Sequence, residues 1–115
     1  MQFQILNSNK QPISMGKLDK EAAAFWGKEV DDNDYAYPEG FGAFTNWFEI
    51  IGGAIATLPN RERPYEWRDV IGKMCGVAAI CKTDTDEVLR EINRLRPFIA
   101  LCLHWKAQGY TPVSC

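Results

Sequence analysis

The sequence has few of the residues on which metal chemistry and nucleophilic catalysis depend. It contains one histidine, His104, and four cysteines, which form no C-x-x-C motif. A zinc site needs several ligands at close spacing, and a cysteine nucleophile would need His104 to be brought to it by the fold. Neither G-x-G-x-x-G nor G-K-[ST] occurs, so the common phosphate-binding loops are missing too. We therefore expect no metal, no cofactor and no catalytic residue, and a small enzyme of unknown class is the least favoured function.

The net charge argues against a nucleic-acid-binding protein, and the hydrophobic runs argue against a membrane-spanning one. The net charge of −2 is unlike that of a protein that binds nucleic acid by bulk electrostatics. The window 40–60 is long enough to span a membrane, but it contains Glu49, two adjacent glycines and Pro59. The start of the chain has neither the basic nor the apolar region of a signal peptide. Because most of the cysteines lie in apolar helical context, where a free thiol acts as a small hydrophobe, we expect a reduced, cytoplasmic protein.

The composition is that of one folded domain. The chain has 115 residues, of which 46% are hydrophobic and 24% are charged. These values are ordinary for folded proteins and unlike those of disordered ones. The length is sufficient for a hydrophobic core without metal or disulfide cross-links. We therefore expect residues 1–115 to form a single globular domain.

A buried helix is predicted at 46–58, and the rest of the domain is expected to pack around it. Between Glu39 and Arg61 the only charged residue is Glu49, and the apolar residues cover more than one helical stripe. Asn46 or Thr45 can cap this helix, and with Asn46 as the cap Glu49 could close a capping box. Gly52 and Gly53 each cost about 1 kcal/mol in a helix interior, so a packing reason is required. We expect these two glycines to face Gly72 and Gly76 of the following helix, with the two backbones in close approach.

The N-terminal residues predict a small β element. Polar and apolar residues alternate in 2–6 and again in 11–15, with turn residues between the two segments. Pro12 suggests that the second segment is an edge strand. An isolated hairpin is marginal in water, so this one should pack on helices.

Start and stop signals predict several other helices. Asp19 can cap one helix, and Gly27 is expected to end it. Pro64 suits the first turn of a second helix. Residues 83–87 have the composition typical of the N-terminus of a third helix. Pro97 should end that last helix and begin a new one, buried on every side. The predicted inward residues of the helix after 83–87 are Val88, Leu89, Ile92 and Leu95. Together these elements give an α+β fold, mainly α, in which an N-terminal β-hairpin packs on a compact bundle of four to five helices.

The longest non-periodic segment, 28–42, is the first candidate for a binding site. Its acidic cluster, 31–34, lacks the glycine and glutamate of a calcium-binding loop. Rigid aromatic rings at element ends and in this loop are the kind of residue that protein interfaces favour. The residues concerned are Trp26, Tyr35, Tyr37, Phe41 and Trp67. They predict a non-enzymatic interaction protein that uses the loop 35–41 to bind a protein partner or a second copy of itself.

Arginines after the central helix are the second candidate. Arg61, Arg63 and Arg68 could form a basic patch with Tyr65 and Trp67 interleaved. Three arginines further along the chain could join this patch: Arg90, Arg94 and Arg96. Such a patch predicts the alternative function, a protein that binds or sequesters a small anionic molecule such as a nucleotide. Asp69 and Lys73 are expected to pair on the outer side of the same helix.

One resemblance bears on function. The segment from Met1 to Pro38, with Leu18-Asp19-Lys20-Glu21-Ala22 and Phe25-Trp26-Gly27, resembles small uncharacterised proteins carried by bacterial phages and mobile elements. The resemblance covers about a third of the chain and includes no diagnostic motif. It implies an accessory protein that acts by binding, inhibiting or sequestering a host component.

Overall fold

The computed structural model describes residues 3–27, 35–61, 63–79 and 84–114. The acidic cluster 31–34 and the cysteines Cys81 and Cys115 lie outside these ranges. The elements, in chain order, are β1 (Phe3–Leu6), α1 (Met15–Phe25), a π-helical turn (Phe48–Gly52) that continues into α2 (Gly53–Thr57), α3 (Trp67–Ala79), α4 (Thr85–Arg94), α5 (Arg96–Ala107) and β2 (Thr111–Ser114). The predicted α+β class, mainly α with a small β part, is confirmed. In the part of the chain described, none of the helices has the length and apolar character needed to cross a membrane.

The two-stranded antiparallel sheet joins the beginning of the chain to its end. In β1 and β2, Phe3 lies opposite Ser114 and Leu6 opposite Thr111. The chain does turn back after β1, as expected. However, 11–13 contribute only one isolated bridge, between Leu6 and Pro12, and two backbone hydrogen bonds, from Asn7 N to Gln11 O (2.8 Å) and from Ile13 N to Ile5 O (2.9 Å). Helix α1 already begins at Met15, and Pro12 has no N–H to donate. The ladder partner of β1 is therefore β2 rather than 11–15.

The cap of α1 differs from the prediction. Ser14 is the N-cap, and its Oγ accepts a hydrogen bond from Lys17 N (3.2 Å). Asp19 lies one turn into the helix with its side chain buried. Both residue types are good caps, and the sequence does not show which of them precedes the first helical turn. The predicted stop is correct, because Gly27 follows the helix with a φ of +69°.

The central helix consists of the π-helical turn and α2. Its predicted cap is confirmed, since Asn46 Oδ1 accepts from Glu49 N (2.9 Å). Gly52 is buried and has a packing reason, but its neighbour is not the one predicted. A Cβ atom at Gly52 would lie 2.8 Å from the Phe3 ring. The small residue is thus needed because β1 places an aromatic ring against the helix.

The predicted contact between two glycine-bearing helices is wrong. Gly72 and Gly76 are exposed, and a Cβ atom added at either of them, or at Gly53, would meet no atom within 4 Å. The central helix does contact α3, but through larger side chains such as Ile51 and Val70, which are fully buried. Ridges of larger side chains are the ordinary way in which helices pack.

Helices α4 and α5 begin where expected but are less buried than expected. Asp84 caps α4, and its Oδ1 accepts from Asp86 N (3.1 Å). No residue of α4 is buried, and the predicted inward residue Leu89 is 54% exposed. Helix α5 starts at Arg96 with Pro97 in its first turn, as predicted. It is not buried on every side, because Leu103 is 51% exposed.

The core is dominated by aromatic rings. Trp47 and Trp105 are its largest fully buried side chains and meet edge to face, with ring centroids 5.6 Å apart and an interplanar angle of 88°. Such pairs contribute about 0.5–1.5 kcal/mol beyond the burial of their area. Phe3 and Phe98 are also fully buried. Residues from β1, the central helix and α5 therefore form one hydrophobic core.

Besides pairing with β1, the segment around β2 is hydrogen-bonded to other parts of the chain, including 65–67 and α1. Tyr110 O accepts from Trp67 Nε1 (2.8 Å), and Pro112 O accepts from Tyr65 N (2.9 Å). The Tyr110 hydroxyl donates to Glu21 Oε1 (2.7 Å). Burial, together with the Glu21 carboxylate, raises the pKa of Tyr110 to about 12. The phenol thus remains a hydrogen-bond donor over the whole physiological pH range.

Substitution of the two adjacent glycines is expected to have opposite effects on stability. Gly52→Ala forces the buried Phe3 ring to move and should lower the free energy of unfolding by about 1–3 kcal/mol. Gly53→Ala meets no atom and improves helix propensity, so it should raise that free energy by up to about 1 kcal/mol. Urea unfolding followed by circular dichroism measures both values. Equal effects of the two substitutions would contradict the assigned contact with Phe3.

Candidate binding groove

An open groove of about 480 Å³ lies between the central helix, α3, α4 and the start of α5. Its apolar lining includes Phe41, Ile50, Met74, Leu95 and Phe98. Phe98 and Met74 are buried at the base of the groove, whereas Phe41, Ile50 and Leu95 are only partly buried and remain accessible in part. Cavities of this volume with mainly apolar walls are typical of binding sites.

Charged side chains of both signs line the same groove. They are Glu49, Lys73, Glu91 and Arg94. Arg94 Nη1 lies 3.7 Å from Glu91 Oε1, and the Arg94 guanidinium lies 5.7 Å from the centroid of the Phe41 ring. The three ion pairs found among the described residues involve neither Glu49 nor Lys73. The groove thus combines an apolar floor with a charged rim in which acids and bases balance.

An exposed aromatic ring stands next to the groove. Phe44 is 95% exposed, the largest exposure among the big apolar side chains of the described residues. Its neighbours Phe41 and Thr45 both line the groove. Phe44 precedes the cap Asn46 and therefore lies outside the helix, where no helical neighbour covers it. Sequence reasoning placed Phe44 in the central apolar stretch; its position before the cap was the available signal.

One of the predicted loop aromatics, Tyr35, packs on the central helix. The Tyr35 ring stacks on the Phe48 ring, with centroids 4.5 Å apart and planes within 7°, and meets Trp47 edge to face. Tyr37 is partly buried. Phe41 meets Phe98 edge to face at 5.4 Å. Of these predicted residues, Phe41 is the one that the structure brings into the groove.

The two tryptophans predicted to bind a partner have internal hydrogen bonds. Trp26 is partly buried, and its Nε1 donates to Pro97 O (3.2 Å). Trp67 is only 4% exposed, and its ring packs against Trp105 at a centroid distance of 6.0 Å. Trp67 is therefore a core residue, with almost no surface through which a partner could reach it.

The predicted basic patch is largely neutralised within the protein. Arg61 Nη2 lies 3.2 Å from Asp69 Oδ2 and also donates to Pro64 O (3.0 Å). Arg68 forms an ion pair with Glu66, while Arg63 is exposed. The expected Asp69–Lys73 pair is replaced by the pair between Asp69 and Arg61. An anion bound here would have to compete with carboxylates for two of the three guanidinium groups.

The residues considered for catalysis have structural surroundings. Burial raises the pKa of the Cys102 thiol to about 12, so at neutral pH it is not a thiolate nucleophile. The partly buried His104 ring packs on Phe25 at a centroid distance of 4.9 Å. Within the described ranges, no group of three or more His, Cys, Asp or Glu residues is placed to hold a metal ion.

Asp19 positions the loop that leads to the groove. It is 6% exposed, and its Oδ1 accepts hydrogen bonds from Ala36 N (2.6 Å) and from Trp47 Nε1 (2.8 Å). Ala36 O in turn accepts from Trp47 N (3.0 Å). These bonds connect α1, the loop segment 35–41 and the start of the central helix. The sequence predicted Asp19 to be a helix cap instead. Its true hydrogen-bond partners, Ala36 and Trp47, are distant in the chain, so nothing in the neighbouring sequence indicates them.

Removal of the Asp19 carboxylate should destabilise the protein strongly. Asp19→Ala leaves two buried donors without an acceptor, at about 1–3 kcal/mol each. Asp19→Asn retains an oxygen at the same position and should cost less. Asp84→Ala, at the exposed cap of α4, is the control and should cost about 1 kcal/mol. Urea unfolding measures all three; a loss for Asp19→Ala no larger than that of the control would contradict this role.

Comparison with known proteins identifies no relative of this chain. No protein-family model, no curated protein and no solved structure matches the chain. Because a fold alone does not determine function, the function has to be inferred from the groove, its charged rim and the exposed Phe44.

Proposed function

We propose that this protein is a non-enzymatic binding protein whose apolar groove accepts a side chain or short segment of a partner polypeptide. The observation that supports this is the open, mainly apolar groove, about 480 Å³ in volume, with the exposed Phe44 next in the chain to the lining residue Thr45. A monomeric protein usually buries such side chains, and contiguous exposed apolar surface often marks an interaction site.

A polypeptide fits these features better than a small anion does. The lining contains two acids, Glu49 and Glu91, as well as two bases, Lys73 and Arg94. A site for an anionic ligand would be expected to concentrate positive charge. An apolar centre with aromatic anchors and a polar rim is instead the usual anatomy of a protein interface.

The wider role follows the resemblance described for the N-terminal third. An accessory protein of a phage or mobile element could use the groove to bind, and so inhibit or sequester, a host component. Cytoplasmic location is part of the same proposal and accords with the free thiols of Cys75 and Cys102.

The role of the groove in binding can be tested with a substitution that fills it. Gly53 lines the groove, and a Cβ atom there would meet no atom within 4 Å, so Gly53→Leu should fill the groove without disturbing the fold. Gly76→Leu is the matched control, because Gly76 is an exposed helical glycine with the same free space and is not a groove residue. Peptides selected from a displayed random library should bind wild type and Gly76→Leu equally. Their affinity for Gly53→Leu should fall at least about 30-fold.

Titration calorimetry of the selected peptides gives these affinities, and circular dichroism confirms folding. Equal binding to all three proteins would place the interaction elsewhere. Failure to select any peptide against the folded wild type would argue against a peptide-binding groove.

A further inference from the structure

The most exposed large apolar side chain among the described residues belongs to a residue adjacent in the chain to the groove. Phe44 stands between Phe41 and Thr45 in the chain, and both of these residues line the groove. We propose, on the basis of the function proposed above, that the partner is a second copy of this chain. In this dimer the Phe44 ring of each copy enters the groove of the other.

The placement of the ring next to the groove determines the kind of assembly. When a projecting group and its receptor lie side by side on one face, a two-fold axis between them satisfies both contacts at once. If they lay on opposite faces, the same contact would propagate into an open chain of molecules. The position of Phe44 therefore predicts a closed dimer.

The charges of the groove suit self-association. In a two-fold dimer the rim of the groove meets an identical rim, so a rim of one sign would repel itself. Here Glu49 and Glu91 are balanced by Lys73 and Arg94. Glu49 and Lys73 have no ion-pair partner among the described residues and are available to the other copy. The rim thus carries the balanced charges that a self-complementary interface needs.

The chemistry of the contact also fits. A phenyl ring that is 95% exposed gains from leaving water, and the groove offers partly accessible apolar side chains such as Phe41, Ile50 and Leu95. Both partners of the contact are already ordered: Phe44 precedes a capped helix, and the floor consists of packed helices. Association should therefore require little ordering of the chain.

Analytical ultracentrifugation over a wide range of protein concentration tests the dimer. Wild type should approach twice the monomer mass as concentration rises. Phe44→Ser should weaken association at least about 30-fold, because in a two-fold dimer the substitution removes both rings from the interface. Leu103→Ser is the matched control, because it removes another exposed apolar side chain outside the groove and should associate like wild type.

A mixing experiment tests the reciprocal arrangement. Phe44→Ser lacks the ring but retains an open groove, whereas Gly53→Leu retains the ring but has a filled groove. Each variant alone should be monomeric, because neither homodimer can make a ring-in-groove contact. An equimolar mixture should form heterodimers that make one of the two contacts, and should associate more strongly than either variant alone.

Each result bears on a definite claim. Wild type that remains monomeric at every concentration overturns the dimer, while selected peptides could still bind the groove and support the proposed function. Phe44→Ser that dimerises like wild type, or a mixture with no recovery, overturns the reciprocal contact. Loss of association in Leu103→Ser comparable to that in Phe44→Ser would place the interface on another face. Circular dichroism of each variant ensures that unfolding is not mistaken for dissociation.

Discussion

The arrangement of this protein depends on one buried carboxylate oxygen. Asp19 Oδ1 accepts hydrogen bonds from Ala36 N and from Trp47 Nε1, two groups that are far apart in the chain. A charge inside a protein is tolerated only when it is paired or hydrogen-bonded, so this oxygen strongly favours conformations that bring all three segments together. Trp47 begins the central helix, and Ala36 lies in the segment that leads to Phe41. Asp19 therefore helps to position one wall of the groove, although its own side chain does not line the groove.

Local signals in the sequence predicted most of the helices. The caps Asn46 and Asp84 and the break at Pro97 were recognisable because each acts on its own helical turn. Contacts between distant segments left no such signal. The pairing of β1 with β2 and the role of Asp19 depend on residues brought together only by the complete fold, and alternation of side chains cannot identify a strand's partner. The glycines show the same limit: the need for a small residue at Gly52 was predictable, but its neighbour Phe3 was not.

The predicted loop aromatics and the groove share one residue, Phe41. Trp67 belongs to the core. Groove residues such as Ile50 and Leu95 have the pattern of an inward helical face, and periodicity shows that a face is apolar without showing how completely it is covered. This is why the groove emerged only from the structure.

Pairing of the first strand with the last has a consequence for synthesis. Phe3 and Ile5 leave the ribosome early, but their ladder partners in β2 are 111–114, which emerge after every helix of the domain. Until then, β1 has no partner on the edge that β2 occupies. Closing contacts between residues so distant in the chain is entropically costly and slow. We therefore expect the two-stranded sheet to be among the last parts of the domain to form, after the helices between its strands.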